Sequence, residues 1–229
     1  MESLSFRERV ISFILKGIII AAVTVGVVLS YKAGAQAFMG GNKVFMYFTI
    51  QSNIAIAIVA LIGAILIVLK NPVSYIWYVI KLVFTVSITI TGAVFTFVLA
   101  PTMGASAWSF SNILTHVAVP LASIADFFVI CINAKYRKID VLFVLVPPLL
   151  YVVYAGIGYA CDWKFTSTVN YPYFFLNWGS KAGAFGFSSE LPFIGVIWWI
   201  VLLSGMIVGV GYLYLFIINK LRNKFNKEN

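Results

Sequence analysis

Six stretches of this chain, each roughly twenty residues or more and nearly free of charge, decide what it can fold into. A helix needs roughly 20 mostly apolar residues to cross about 30 Å of hydrocarbon. The stretches run over about 10–31, 43–69, 74–100, 111–132, 139–160 and 191–219. The expected fold class is therefore all-α: a single domain over 1–229, a polytopic bundle of six transmembrane helices, with an outer loop at 161–190. Composition points the same way. The chain is 62% hydrophobic and 10% charged, against about 25% charged for an ordinary soluble domain. Its mean hydropathy is +1.01, and its connections are too short to hold a soluble domain.

Punctuation residues set the expected ends. Lys70-Asn71-Pro72 stops the second segment and Pro101 the third, because proline cannot continue a helix. Ser189 with Pro192 reads as a helix start for the sixth, and Pro147-Pro148 should bend the fifth. Gly40-Gly41-Asn42 reads as a turn. Ala33-Gly34-Ala35 resembles a signal-peptidase site, but Lys32 directly before it favours a retained first helix. An inside amino terminus puts Arg7, Arg9, Lys16, Lys70, Lys81, Lys135, Arg137, Lys138, Lys220, Arg222, Lys224 and Lys227 at the cytoplasmic side. It leaves only Lys32, Lys43, Lys164 and Lys181 outside. By the positive-inside rule both termini are cytoplasmic, in a multi-pass protein of the cell membrane.

The net charge of +9 in such a chain reports topology and contact with anionic headgroups rather than nucleic acid. Membrane lipids are the expected surroundings and no nucleic-acid partner is expected. Cys131 and Cys161 fall near opposite ends of their spans, about a bilayer apart and far beyond the ~7 Å limit for a disulfide. One histidine and two separated cysteines leave no zinc or haem site, so neither metal nor cofactor is expected.

Two polar knots interrupt the apolar spans. One is Tyr47-Phe48-Thr49-Ile50-Gln51-Ser52-Asn53. The other lies in Ser111 to Asp126 and holds His116, the single histidine. Both segments run from outside to inside. Thr49 is six residues past Lys43 and His116 five past Ser111, so at 1.5 Å per residue both lie roughly 8–9 Å below the outer boundary. A hydroxyl beside an imidazole is the minimum apparatus for nucleophilic acyl transfer. The same residue types also serve as helix-packing groups, a threonine bonding its own i−4 carbonyl and a histidine joining helices. Ionisable groups inside spans are costly to bury and mark function by default.

These segments carry a resemblance. Tyr47-Phe48-Thr49 with Asn53, and Leu114-Thr115-His116-Val117-Ala118-Val119-Pro120 with Asp126, resemble the two signature segments of the androgen-induced / androgen-dependent membrane protein family and its bacterial six-span relatives. Pro148-Leu149-Leu150-Tyr151-Val152-Val153-Tyr154 and Tyr171-Pro172-Tyr173-Phe174-Phe175-Leu176-Asn177 resemble its fifth span and following loop. The resemblance implies a threonine hydrolase of fatty acid esters of hydroxy fatty acids, with Thr49 as nucleophile and His116 as base. This chain has Asp126-Phe127 where bacterial relatives tend to read Asp-Trp, and Phe174-Phe175-Leu176-Asn177 where the loop usually reads Pro-Phe-Leu-Asp.

Around this pair, Asn112 lies one turn outward of His116 on the same face and is the candidate to orient the ring. Asn53, one turn inward of Thr49, and Tyr154 are candidate oxyanion donors, with plain packing as their other role. Asp126 is about 15 Å along the axis from His116, too far to hold it. A buried charge needs a partner, so Asp126 is expected to pair with Lys81, or otherwise with Lys16. Lys43 or Lys181 is the candidate to meet a substrate carboxylate. Thr85, Thr89, Gly92 and Thr96 share one helix face and read as a packing seam. Trp77, Trp108, Trp163 and Trp178 read as belt aromatics, while Trp198 and Trp199 either line an acyl cavity or pack. The loop 161–190 reads as a cap over the outer mouth or a plain connector. The competing function is a non-catalytic transporter or lipid-binding protein whose polar path runs by His116 and Asp126. A third is a partner-binding regulator without a cavity beside Thr49.

Overall fold

A computed structural model describes residues 4–36, 41–70 and 72–228, the side chains of 225–228 excepted. Among them six helices are long and apolar enough to cross a membrane: α1 Phe6–Gln36, α2 Phe48–Val68, α3 Tyr75–Trp108, α4 Phe110–Cys131, α5 Lys138–Ala160 and α6 Val196–Glu228. Six crossings put both ends of the described chain on one face, the terminal end, and the 161–195 segment on the other, the loop end. Local chemistry starts several of them. Ser5 and Glu8 exchange side-chain and backbone hydrogen bonds as a capping box ahead of α1. Ser74 and Ser109 accept the N–H groups of Trp77 and Asn112 at the starts of α3 and α4.

Several boundaries differ from the sequence expectation, each for a physical reason. α2 starts at Phe48 rather than near 43, because Gly41–Met46 winds as a tighter 3-10 helix first. α3 runs on through Pro101 to Trp108 instead of closing at Ala100. α5 begins as a 3-10 helix over Lys138–Leu145, and Pro147-Pro148 fall where the α-helical part starts. They mark a change of winding rather than a bend. α6 begins at Val196, since Pro192 sits in a tight turn closed by the Phe193 N–H on the Glu190 carbonyl and the Ile194 N–H on the Pro192 carbonyl. Gly40 and Asn71 lie outside the described residues, as does the side chain of Lys227.

α1, α3 and α4 pack together, with α2 against α1 and α3, and with the start of α5 joining α3 to α6. Ile19, Ile56, Ile88 and Val119 fill one buried layer, and Val86, Phe127, Val144 and Ile218 fill another. Leu121, Leu150 and Phe216 are 61, 65 and 63% exposed. Large apolar side chains left outward on this scale belong in hydrocarbon, not water.

In the half of the bundle nearer the terminal end, Asp126 is fully buried between two lysines rather than paired with one. Lys16 Nζ of α1 lies 2.6 Å from its Oδ1, Lys81 Nζ of α3 bonds its Oδ2, and Ser12 donates to Oδ1. A single carboxylate thus ties three spans. Trp77, expected at an interface, is buried. Its ring edge and the shank of Lys16 crowd the same spot beside Gly63, where a Cβ would lie 3.5 and 2.6 Å from them. Trp198 and Trp199 donate from Nε1 to the carbonyls of Phe185 and Pro192, so they tie the loop to the start of α6, and neither lines the two cavities beside Thr49. On the face expected as a seam, Gly92 meets α4 while Thr89 bonds Tyr214 of α6.

Candidate functional site

Two prolines inside spans shape the site. A proline lacks the N–H that would bond the i−4 carbonyl, and its ring clashes with that carbonyl. In α3 and α4 the strain is absorbed by one π-helical turn just before the proline: Phe95–Leu99 ahead of Pro101 and Leu114–Ala118 ahead of Pro120. The N–H groups of Ala100 and Val119 reach back five residues, to the carbonyls of Phe95 and Leu114. Such turns recur at functional sites because they re-aim side chains. Here both meet at one depth, and the Phe95 and His116 rings stack with centroids 3.7 Å apart. Gly92 allows the close approach: a Cβ there would lie 2.7 Å from the His116 carbonyl oxygen, which Pro120 leaves without its helical partner.

His116 is 8% exposed. Its Nδ1 lies 3.1 Å from the Asn112 carbonyl oxygen and 3.0 Å from Thr115 Oγ1. A carbonyl oxygen only accepts, so Nδ1 carries the proton, and Thr115 spends its own on the Ser111 carbonyl. Nε2 is then the unprotonated nitrogen, with no partner among the described residues. Asn112 does hold the ring, but through its main chain; its side-chain amide donates to the Ala107 carbonyl.

Thr49 sits in the first turn of α2, where backbone N–H groups lack helical partners. The preceding Tyr47 offers no side-chain cap. The cap comes from the loop instead: Tyr173 Oη accepts the Thr49 N–H at 3.3 Å and lies 3.5 Å from Thr49 Oγ1. Having accepted the amide proton, the phenol keeps its own proton for Oγ1 or for a ligand. Burial raises the Tyr173 pKa above the ordinary phenol value, so it stays a neutral donor. Sequence patterns gave no hint of Tyr173, since a loop has no periodicity; only its place in the Tyr171-Pro172-Tyr173 motif marked it.

Thr49 and His116 line the same cavity, about 750 Å³, walled by α1, α2, α3, α4 and the loop from Thr166 to Phe174. They do not hydrogen-bond across it, so the expected side-by-side contact is replaced by two walls facing one space. Asn53 fixes their spacing. Its Nδ2 donates to the carbonyls of Thr49 and Thr115, at 2.8 and 3.1 Å. With both protons spent on the backbone, Asn53 is no oxyanion donor. Tyr154 is none either: it packs on Trp163, Phe165 and Tyr151 and lines neither cavity near Thr49. Lys43 donates to the Thr166 carbonyl and Lys181 pairs with Glu190 in the exposed loop. Neither lysine lines the cavity, although the Thr166 carbonyl that Lys43 holds belongs to a lining residue. The loop itself is a wall of the site, pinned to the start of α2 by Lys43, Tyr47 and Tyr173.

A second, narrower cavity of about 90 Å³ meets the first at Thr49, Leu99 and Tyr173 and runs between α3, α5 and α6. Its walls are otherwise almost wholly apolar, among them Ile90, Val94, Val152 and Leu203. No family model, curated protein or solved structure matches this chain.

Proposed function

We propose that the protein is an intramembrane hydrolase of lipid acyl esters, with Thr49 as nucleophile and His116 as base, working in the cell membrane without a cofactor. The observation that supports this most is one cavity lined by both side chains, with Nε2 of His116 left as a free acceptor. Thr49 Oγ attacks the ester carbonyl carbon while its proton crosses the cavity through one water to Nε2. Tyr173 Oη–H donates to the carbonyl oxygen as it gains charge. The carbon–oxygen bond to the alcohol then breaks, and the alcohol leaves with the proton from Nε2. In the second half a water gives its hydroxyl to the acyl carbon and a proton to Nε2. The fatty acid leaves and Thr49 Oγ regains its proton.

Thr49→Ala and His116→Ala proteins, purified in detergent, are expected to lose at least about 10³-fold in ester cleavage, since residues acting as a unit fail together. A fluorophosphonate probe is expected to label Thr49. Full cleavage by either variant overturns the mechanism.

A further inference from the structure

The two cavities that meet at Thr49 differ in chemistry, and the difference selects a substrate. The narrow one, about 90 Å³, has room for the first few carbons of a chain. It borders Leu149, 40% exposed on the lipid side of α5, so a longer chain continues from it into the bilayer. The wide cavity has no charged side chain in its lining. It is lined instead by neutral polar groups, several of which spend a proton on nearby carbonyls. Thr102 donates to the Leu99 carbonyl, Ser106 to the Met103 carbonyl, Tyr47 to the Phe165 carbonyl, and the Asn112 amide to the Ala107 carbonyl. Their oxygens leave lone pairs for the cavity, while Tyr173 keeps a proton to donate, so the wall both accepts and donates without a charge.

A carboxylate finds no cation in that lining, and burying it uncompensated is costly. A hydroxyl-rich alcohol both donates and accepts, and so matches a wall of neutral hydroxyls. We propose that the substrate is an acyl ester of an uncharged polyol, of the acylglycerol class. Its fatty chain lies in the slot between α3, α5 and α6, and its hydroxyls lie against Tyr47, Thr102, Ser106 and Asn112. This rests on the hydrolase reading above and replaces the carboxylate-bearing ester that the family resemblance implies. Cleavage transfers the acyl group to Thr49 Oγ, releases the polyol with the proton carried by His116, and ends in a free fatty acid after water attacks.

The test uses the full chain in lipid nanodiscs with three oleoyl probes: 1-oleoylglycerol, the oleate ester of 12-hydroxystearic acid, and methyl oleate. The glycerol ester is expected to show kcat/KM at least tenfold above both others, with the Thr49→Ala protein inactive on all. Thr102→Lys, an exposed position, is expected to raise the rate on the hydroxystearate ester relative to oleoylglycerol at least tenfold. Preference for the hydroxystearate ester or for methyl oleate overturns the polyol assignment and leaves the hydrolase standing. Failure to cleave oleoylglycerol overturns the assignment in every case. Labelling of Thr49 by a fluorophosphonate then preserves the hydrolase, and absence of both label and cleavage overturns the two together.

Discussion

At the scale of single residues, Tyr173 joins structure to chemistry through one oxygen. It caps α2 by accepting the Thr49 N–H and stands 3.5 Å from the Thr49 hydroxyl with a proton to give. Tyr173→Phe is expected to lower kcat by about 10²–10³, the usual loss for one oxyanion donor. KM should stay within a few-fold, and the fold should lose only about 1 kcal/mol for one neutral hydrogen bond. Because burial raises the phenol pKa, the donor survives as pH climbs. The wild-type rate is expected to show no Tyr173-linked fall up to about pH 10, the ordinary phenol value. A pH–rate profile of both proteins checks this. Residue type and depth set Thr49 and His116 at one level, because helix rise converts position into depth. Those features left helix packing as the pair's other role; the structure places both residues on one cavity. Tyr173 was not legible, because nothing in hydropathy says where a loop side chain lands. Residue type shows that Asn53 can donate, not that two carbonyls have already taken its protons, nor that Tyr154 stands off both cavities.

At the scale of elements, the paired π-helical turns set the geometry. The sequence displayed Pro101 and Pro120 openly, yet proline alone reads as a helix end. Whether a span stops or winds wider depends on what packs against the loosened turn. Here Gly92 lets α3 and α4 close over that turn, with Phe95 stacked on His116. Gly92→Ala places a methyl group 2.7 Å from a backbone oxygen and 3.1 Å from the Pro120 ring, so the helices must separate. It is expected to destabilise by about 1–3 kcal/mol, as overpacking does. Activity should fall more steeply than the melting temperature, because the His116 ring moves with its turn. Parallel thermal melts and ester-cleavage rates measure both. Hydropathy located all six spans, since about twenty apolar residues in a row have few other uses. It missed the 3-10 openings before α2 and in α5, because winding tightness leaves hydrophobicity unchanged.

At the scale of the whole molecule, the Lys16–Asp126–Lys81 cluster joins α1, α3 and α4 and holds two ammonium groups against one carboxylate. Asp126→Asn strands both cations and is expected to cost at least about 3–5 kcal/mol, the usual loss when a buried ion pair is broken. Lys16→Met leaves the Lys81–Asp126 pair and is expected to stay within about 1 kcal/mol of the wild type, as an apolar replacement for a surplus charge. Melting temperatures in detergent test that order, and equal losses would show that the surplus charge is not the controlling feature. The sequence pointed to a partner for Asp126 but set two lysines as alternatives, since depth cannot tell which neighbours share a centre. The cluster also bears on how the protein is made. Lys16 leaves the ribosome more than a hundred residues ahead of Asp126, and an unpaired ammonium is poorly tolerated in hydrocarbon. Lys16 therefore meets its carboxylate only once the fourth span has been synthesised, so the contact between the first and fourth spans closes late in assembly.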